Sequence, residues 1–267
     1  MSSLIRPSIK RNINRVTEKR TCLITGAGRG IGRTVAARLS AAGHRVALTA
    51  RSADELTGVA GALPGPAFPL PADLTDDAAV SNVFGAVEQR WGPVEILVLA
   101  AGTASSAPLT KTTDDDWQQA LAVNLTAPFR CLRRAVPAMV EGGWGRAVVI
   151  ASAAAKRGDA YVSAYTASKH GVLGVVRSTA AELAGSGVTV NAVCPGFVDT
   201  AMTRASIENI SATTGRTPEQ ARQALERRQP INRLITTEEV ADAVELCLRT
   251  PAINGQGINV DGGAVQS

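Results

Sequence analysis

Aromatic side chains are scarce in this sequence, at 3% of 267 residues. A platform that stacks exposed bases needs several aromatic faces, so single-stranded nucleic acid is not an expected partner. Cysteines are few and scattered. Cys22, Cys131, Cys194 and Cys247 form no C-x-x-C pair, and His44 and His170 do not pair with them. Metal-ligand spacing is absent, and no metal is expected. Thiols spread this way read as reduced, mostly buried groups of a cytoplasmic protein. No apolar run approaches the roughly 18 residues of a membrane span, so no membrane partner is expected. Internal repeats and linkers are missing too.

Acidic residues are nearly absent from positions 1–20, where Arg6, Lys10, Arg11, Arg15, Lys19 and Arg20 face Glu18 alone, a net +5. The whole chain is also +5, so the rest balances at zero. The basic character belongs to the segment 1–20, expected to be a disordered N-terminal extension, and a nucleic-acid-binding face is poorly supported. An Arg-rich, acid-poor start also resembles a transit peptide. No apolar stretch follows it, so secretion is not expected.

What is present is alternation. Short, nearly continuous apolar runs at 21–25, 45–50, 95–100, 146–152, 188–193 and 257–260 read as strands covered on both faces. A weaker, proline-interrupted candidate lies at 67–72. Helical patterns fill 30–42, 76–91, 114–140, 162–184 and 237–249. Strand–helix alternation predicts a doubly wound α/β fold with a parallel sheet, residues 21–267 forming one domain. From 197 to 234 the rhythm breaks. Only 217–229 reads as a helix there, with Thr217 as N-cap and Pro218 at the first position. An insertion just past a strand's C-terminal end suits a substrate loop.

After the first strand comes TGAGRGIG, residues 25–32. Glycines such as Gly26, Gly28 and Gly30 let backbone N–H groups approach a pyrophosphate at a helix N-terminus, with Arg29 and Ile31 between and beyond them. This position, between first strand and first helix, points to a dinucleotide. An NAD site would carry an acidic residue at the end of the second strand. Here that strand ends in Arg51 and Ser52. With Arg29, two guanidiniums suit a 2′-phosphate, so NADP(H) is the expected cofactor and NAD(H) the alternative.

Near the middle of the chain, SAYTASKHG places Tyr165 four residues before Lys169, on one helix face. That spacing alone fits a packing tyrosine beside a solvated lysine. The other motifs decide otherwise. The order of TGAGRGIG, Asp73 with Leu74, AVNL with Asn124, Ser152 thirteen residues before Tyr165, YTASK, Pro195 with Gly196, and Val198, Asp199, Thr200 resembles the short-chain dehydrogenase/reductase family. The resemblance spans about 21–263. It implies a Rossmann fold of about seven parallel strands flanked by helices, and a catalytic set of Asn124, Ser152, Tyr165 and Lys169. It also implies cofactor contacts from the glycine turn, Asp73, Leu74, Ala101, Gly102, Tyr165, Lys169, Pro195, Gly196, Val198 and Thr200. One departure stands out: LAAG, 99–102, replaces the family's Asn-Asn-Ala-Gly, keeping the small pair but losing the amides.

The chemistry implied is reversible reduction of a ketone to a secondary alcohol. A free phenol, with a pKa of about 10, exchanges protons poorly near neutrality. The Lys169 ammonium and an oxidised nicotinamide are expected to depress it. Ser152 is expected to hold the substrate oxygen. By resemblance, Asn124 kinks its helix and holds a water leading protons to Lys169. Substrate choice is expected from 103–108, 153–161 and 197–234. The last holds Arg204, Arg216, Arg222, Arg227, Arg228 and Arg233, which either grip a phosphorylated handle such as coenzyme A or an acyl-carrier arm, or pair on a solvated face with Glu208, Glu219 and Glu226. The leading expectation is a 3-oxoacyl thioester reductase. Alternatives are an NAD-dependent 3-hydroxyacyl-CoA or secondary-alcohol dehydrogenase and, in another class, a non-catalytic dinucleotide sensor. The resemblance also implies a homo-oligomer, tetramer or dimer, built through 114–140 and 162–184.

Overall fold

The computed structural model describes residues 18–266. Seven strands form one parallel sheet: β1 (Thr21–Thr25), β2 (Arg45–Ala50), β3 (Ala67–Pro71), β4 (Ile96–Leu99), β5 (Gly145–Ile150), β6 (Val188–Pro195) and β7 (Gly257–Val260), in the order β3-β2-β1-β4-β5-β6-β7. The expected strands and the parallel sheet are all there. Proline-bearing β3 lies at the edge, where a missing ladder N–H is tolerated.

Period-two alternation divides the sheet's side chains between two cores. Leu23, Leu97, Val149 and Val190 face one way, against Phe84, Met139, Val172 and Val176. Cys22, Ile24, Val98 and Val148 face the other, against Val35, Leu39, Leu56, Val240 and Val244. The helices supplying the first face are α3 (Asp77–Trp91), α5 (Ala127–Glu141) and α6 (Ser163–Glu182). Those supplying the second are α1 (Gly30–Ala41), α2 (Ala53–Ala62) and α9 (Thr237–Arg249). All four cysteines are buried free thiols.

Several expectations change. The segment 114–140 is not one helix: α4 (Asp114–Leu121) passes through a π-helical turn, Ala122–Thr126, into α5. Helix α2 has little signature in the sequence, because Gly58 and Gly61 dilute its pattern and only Leu56 and Val59 are buried. Between β6 and α9 lie two helices rather than one, α7 (Ala201–Thr214) and α8 (Pro218–Glu226). Thr217 caps α8 in a capping box, as its sequence predicts. Finally, the expected tail 1–20 reaches too far. Positions 1–17 lie outside the described residues, but Arg20 is only 9% exposed. Its guanidinium pairs with Glu18 and Glu95, both at 2.5 Å, so folded structure begins before β1.

Candidate active site

The site is assembled at the C-terminal ends of the strands, where a doubly wound sheet opens a crevice. At the end of β1, Gly26 holds φ +63°, and a Cβ there would lie 2.7 Å from the Ala101 amide nitrogen. Only glycine fits such a turn. The Thr25 hydroxyl accepts hydrogen bonds from the N–H groups of Ala100 and Ala101, both at 3.1 Å. Thr25 thus ties the end of β4 to the glycine turn without side-chain amides in LAAG. The sequence motifs do not single it out as a functional residue, although its position just before Gly26 is a signal.

Helix α1 starts at Gly30 with no acidic side chain in its own first turn. From the far side, the Thr200 methyl lies 3.3 Å from where a Cβ on Gly30 would stand. The Ile31 side chain packs partly against the core.

The adenosine end is more mixed than the sequence implies. The Arg29 side chain is 67% exposed, and Arg51 is exposed as well. Arg51 helps hold the Asp73 carboxyl below its usual range, after the larger effect of the Thr75 N–H and hydroxyl hydrogen bonds. Ser52 has a structural job: its hydroxyl accepts from the Glu55 N–H at 3.2 Å and caps α2. Leu74 is buried, so its side chain packs inward. Glu55, as hidden in the sequence as α2 itself, places its carboxylate against Gly28 and 3.9 Å from Arg29.

At the other end, α6 delivers Lys169 into the protein, 4% exposed. Its Nζ donates to the Ile150 carbonyl at 3.0 Å and sits 5.7 Å from the centre of the Tyr165 ring. Burial pushes its pKa down to about 8. The expected depression of the Tyr165 phenol is not what this geometry gives. Burial raises it, and the opposing pull comes from a Ser152 hydrogen bond rather than from Lys169. The Lys169 ammonium is held on the Ile150 carbonyl instead. Ser152, two residues past β5, also accepts from the Ala154 N–H at 3.1 Å, which fixes its rotamer at the start of the short 3₁₀ turn Ala153–Ala155.

Asn124 lies in the π-helical turn, a break in the ladder that often marks a functional position. Its side chain brackets Thr103, accepting from that N–H at 3.0 Å and donating to that carbonyl at 2.9 Å. It also donates to the Ser168 hydroxyl at 3.1 Å. The amide is therefore a strut between the loop after β4 and α6. Gly102 sits beside it: a Cβ there would lie 3.3 Å from Asn124 Oδ1 and 3.8 Å from Lys169 Nζ.

The residues expected at the nicotinamide end follow directly from β6. Pro195 is the last residue of β6, and Gly196 donates its N–H to the Val260 carbonyl. Val198 is buried, and its carbonyl accepts from Thr203 Oγ1 at 2.5 Å. The segments 103–108 and 153–161 meet: the Ala107 N–H donates to the Tyr161 carbonyl at 2.8 Å. The insertion's arginines are largely engaged. Arg204 and Arg222 approach Asp199 at 3.6 and 3.5 Å, Arg228 pairs with Asp159 at 2.5 Å, and Arg233 pairs with Glu239 at 2.6 Å. Of the expected glutamate partners, Glu226 takes Arg222 at 2.9 Å, while Glu219 accepts from Gln223. Among the described residues no cluster of potential metal ligands exists.

The glycine turn before α1, Gly102, Lys169 and Tyr165 stand along one end of the sheet, and the small residues at Gly26, Gly28, Gly30, Ala101 and Gly102 fit the close approach of an extended dinucleotide. The family described as short chain dehydrogenase matches residues 20–211. The 3-oxoacyl-[acyl-carrier-protein] reductase MabA of Mycobacterium tuberculosis is 39% identical over 246 residues, 91% of this chain and 92% of the relative. The D-beta-hydroxybutyrate dehydrogenase of Rhizobium meliloti is 36% identical over 252 residues, 91% and 98% of the two chains. A variant of actinorhodin polyketide ketoreductase, solved with NADPH, is 34% identical with a TM-score of 0.88, over 93% of this chain and 98% of that one. Motif order, fold and these likenesses agree: the chain belongs to the short-chain dehydrogenase family.

Proposed function

We propose that this protein is an NADP(H)-dependent ketoreductase whose substrate is a 3-oxoacyl thioester, reduced reversibly to the 3-hydroxyacyl form. The observation that carries the reading is a buried lysine, with no carboxylate partner among the described residues, one helical turn from Tyr165 and next to Gly102 at the end of the sheet that holds the glycine turn. The substrate class is supported by relatives named for 3-oxoacyl-carrier and ketoacyl reduction. The insertion's arginines support it less, because most of those guanidiniums already have carboxylate partners.

Gly26, Gly28, Gly30 and Thr200 would hold the cofactor's phosphates, Ala101 and Gly102 its middle, and Lys169 its nicotinamide ribose. When bound, the nicotinamide supplies the hydride. The Ser152 hydroxyl donates to the substrate's carbonyl oxygen and polarises it. Tyr165 gives the proton to that oxygen as it gains negative charge. A phenol kept protonated by burial enters the reduction already loaded. For the phenolate left behind to gain from the Lys169 ammonium, still mostly charged at neutral pH with its pKa about 8, the amine must turn from the Ile150 carbonyl toward the ring oxygen. Asn124 keeps the loop after β4 and α6 in fixed relation, whatever water it also orders.

A second reading has an observation of its own. Glu55 puts a carboxylate near the adenosine end, as an NAD-linked dehydrogenase running oxidatively would use. A silent dinucleotide sensor is the third. Comparing kcat/KM for acetoacetyl-CoA, simple ketones and sugars with NADPH and NADH separates them. The expected order is thioester over simple ketone and NADPH over NADH. Equal rates on thioester and simple ketone would sink the substrate reading, and no turnover in either direction would favour the sensor.

The location we propose is the cytoplasm, in keeping with four free thiols. The assembly we propose is a homo-oligomer, up to a tetramer, packed through α4, α5 and α6. Trp117, Phe129 and Val140 expose apolar surface on α4 and α5. The one-domain reading is likewise ours, with 197–234 as the substrate insertion.

A further inference from the structure

We propose that Glu55 tunes cofactor choice by holding Arg29 away from a 2′-phosphate, an inference that rests on the dinucleotide reading of the crevice. Glu55 stands in the first turn of α2, with its N–H fixed by the Ser52 hydroxyl. A Cβ on Gly28 would lie 3.0 Å from Glu55 Cβ and 2.6 Å from Oε2, so the side chain lies flat against the middle of the glycine turn. Its other oxygen is 3.9 Å from Arg29 Nη1.

The surrounding charges give this carboxylate its leverage. Arg29 and Arg51 are the cations expected to receive a 2′-phosphate. Arg51 acts on Asp73, and Arg29 is drawn to Glu55. Asp54 adds another carboxylate in the same helical turn. The adenosine end is therefore balanced in charge rather than strongly positive. A 2′-phosphate must separate Arg29 from Glu55 and tolerate the carboxylate nearby. A ribose bearing two hydroxyls meets neither cost, and Glu55 can accept from a hydroxyl. Glu55 is thus a positioning residue acting through Arg29, and it narrows the protein's preference for the phosphorylated cofactor.

The test is equilibrium binding of NADP⁺ and NAD⁺ by calorimetry, without substrate, on the parent, Glu55→Gln, Arg29→Gln and the double variant. Gln keeps the shape and removes the charge. NADP⁺ affinity is expected to rise roughly three- to tenfold in Glu55→Gln, the scale of one partly exposed charge pair facing a multiply charged phosphate. NAD⁺ affinity is expected to hold within about twofold or to weaken, and the gain should vanish when Arg29 is already Gln. An unchanged ratio, an equal shift for both cofactors, or a gain that survives without Arg29 would overturn the proposal. Glu55→Ala repeats the measurement, and melting of the free variants checks that each is folded. A parent that prefers NAD⁺ would sink the NADP reading alone, since the readout is the change in ratio on substitution.

Discussion

Two buried cations sit at opposite ends of the same sheet, and they are treated oppositely. Arg20, just before β1, is met by Glu18 and Glu95, and its guanidinium also lies 4.3 Å from the centre of the Trp144 ring. Lys169, at the end where the strands open, has one carbonyl partner and, among the described residues, no carboxylate. Taking a charge out of water costs several kcal/mol unless it is matched. The Arg20 end is matched within the fold and so serves the fold. At the Lys169 end the balance is deferred, and a negative charge formed during turnover would complete it. Arg146, buried near the Arg20 end, also has carbonyl partners but three of them, so it is the sparsely partnered buried charge at the open end of the strands that points to chemistry.

The largest expected effect removes the partner that forms that negative charge. Tyr165→Phe keeps the ring and the packing and deletes the proton donor. Reductase kcat is expected to fall about 1,000-fold, within the usual range for a positioned acid. The melting temperature should stay near the parent's. A variant retaining more than about a tenth of parental kcat would remove Tyr165 from the proposed mechanism.

The next test crosses the two ends. Lys169→Met is expected to lose about 100-fold in kcat/KM. Its stability at pH 7 should hold or rise, because the folded state bears the cost of the buried ammonium throughout the range below about 8. Arg20→Met should do the reverse. It strands Glu95, whose side chain is 24% exposed, so the loss is discounted for solvent to about 2 kcal/mol. Its kcat/KM per folded molecule should stay parental. Denaturant unfolding and steady-state kinetics on both variants decide it. If both lose stability alike, the contrast between the ends is wrong.

Much of this molecule is legible in its amino-acid pattern. Apolar runs announce every strand, and TGAGRGIG with YTASK locate the crevice and the phenol–ammonium pair. What stays hidden depends on third partners. Nothing local in the sequence says that the Lys169 amine turns to Ile150, so the pattern suggests a pull on the phenol that the fold redirects. Asn124 is marked by its motif, but its bonds to Thr103 and Ser168 are not, because a π-helical turn has no hydrophobic period of its own and those partners lie far along the chain. Glu55 is concealed because α2, with two glycines and two buried side chains, is too thin a helix to announce itself. Thr25 and Glu55 both act on neighbours brought close by the glycine turn, a proximity that depends on the sheet order.

The smallest expected effect is on pH. Lys169 is depressed from the ordinary lysine value to about 8, so its charge is complete below that pH and is lost above it. The charge is what would stabilise the phenolate left after proton transfer. Reductive kcat/KM, which reports groups of the free enzyme, is therefore expected to be flat below about pH 7.5 and to fall up to tenfold per unit above about 8. Stability should move the other way. Between about 8 and the ordinary value near 10.4, the unfolded chain binds more protons at this site than the folded one, so this group's contribution rises with pH. Lys169→Arg, whose guanidinium stays charged across the range, should lose the alkaline limb even if its overall rate is low. A limb that survives in Lys169→Arg would belong to another group, and the unmatched amine would no longer be what sets this end of the sheet apart from Arg20.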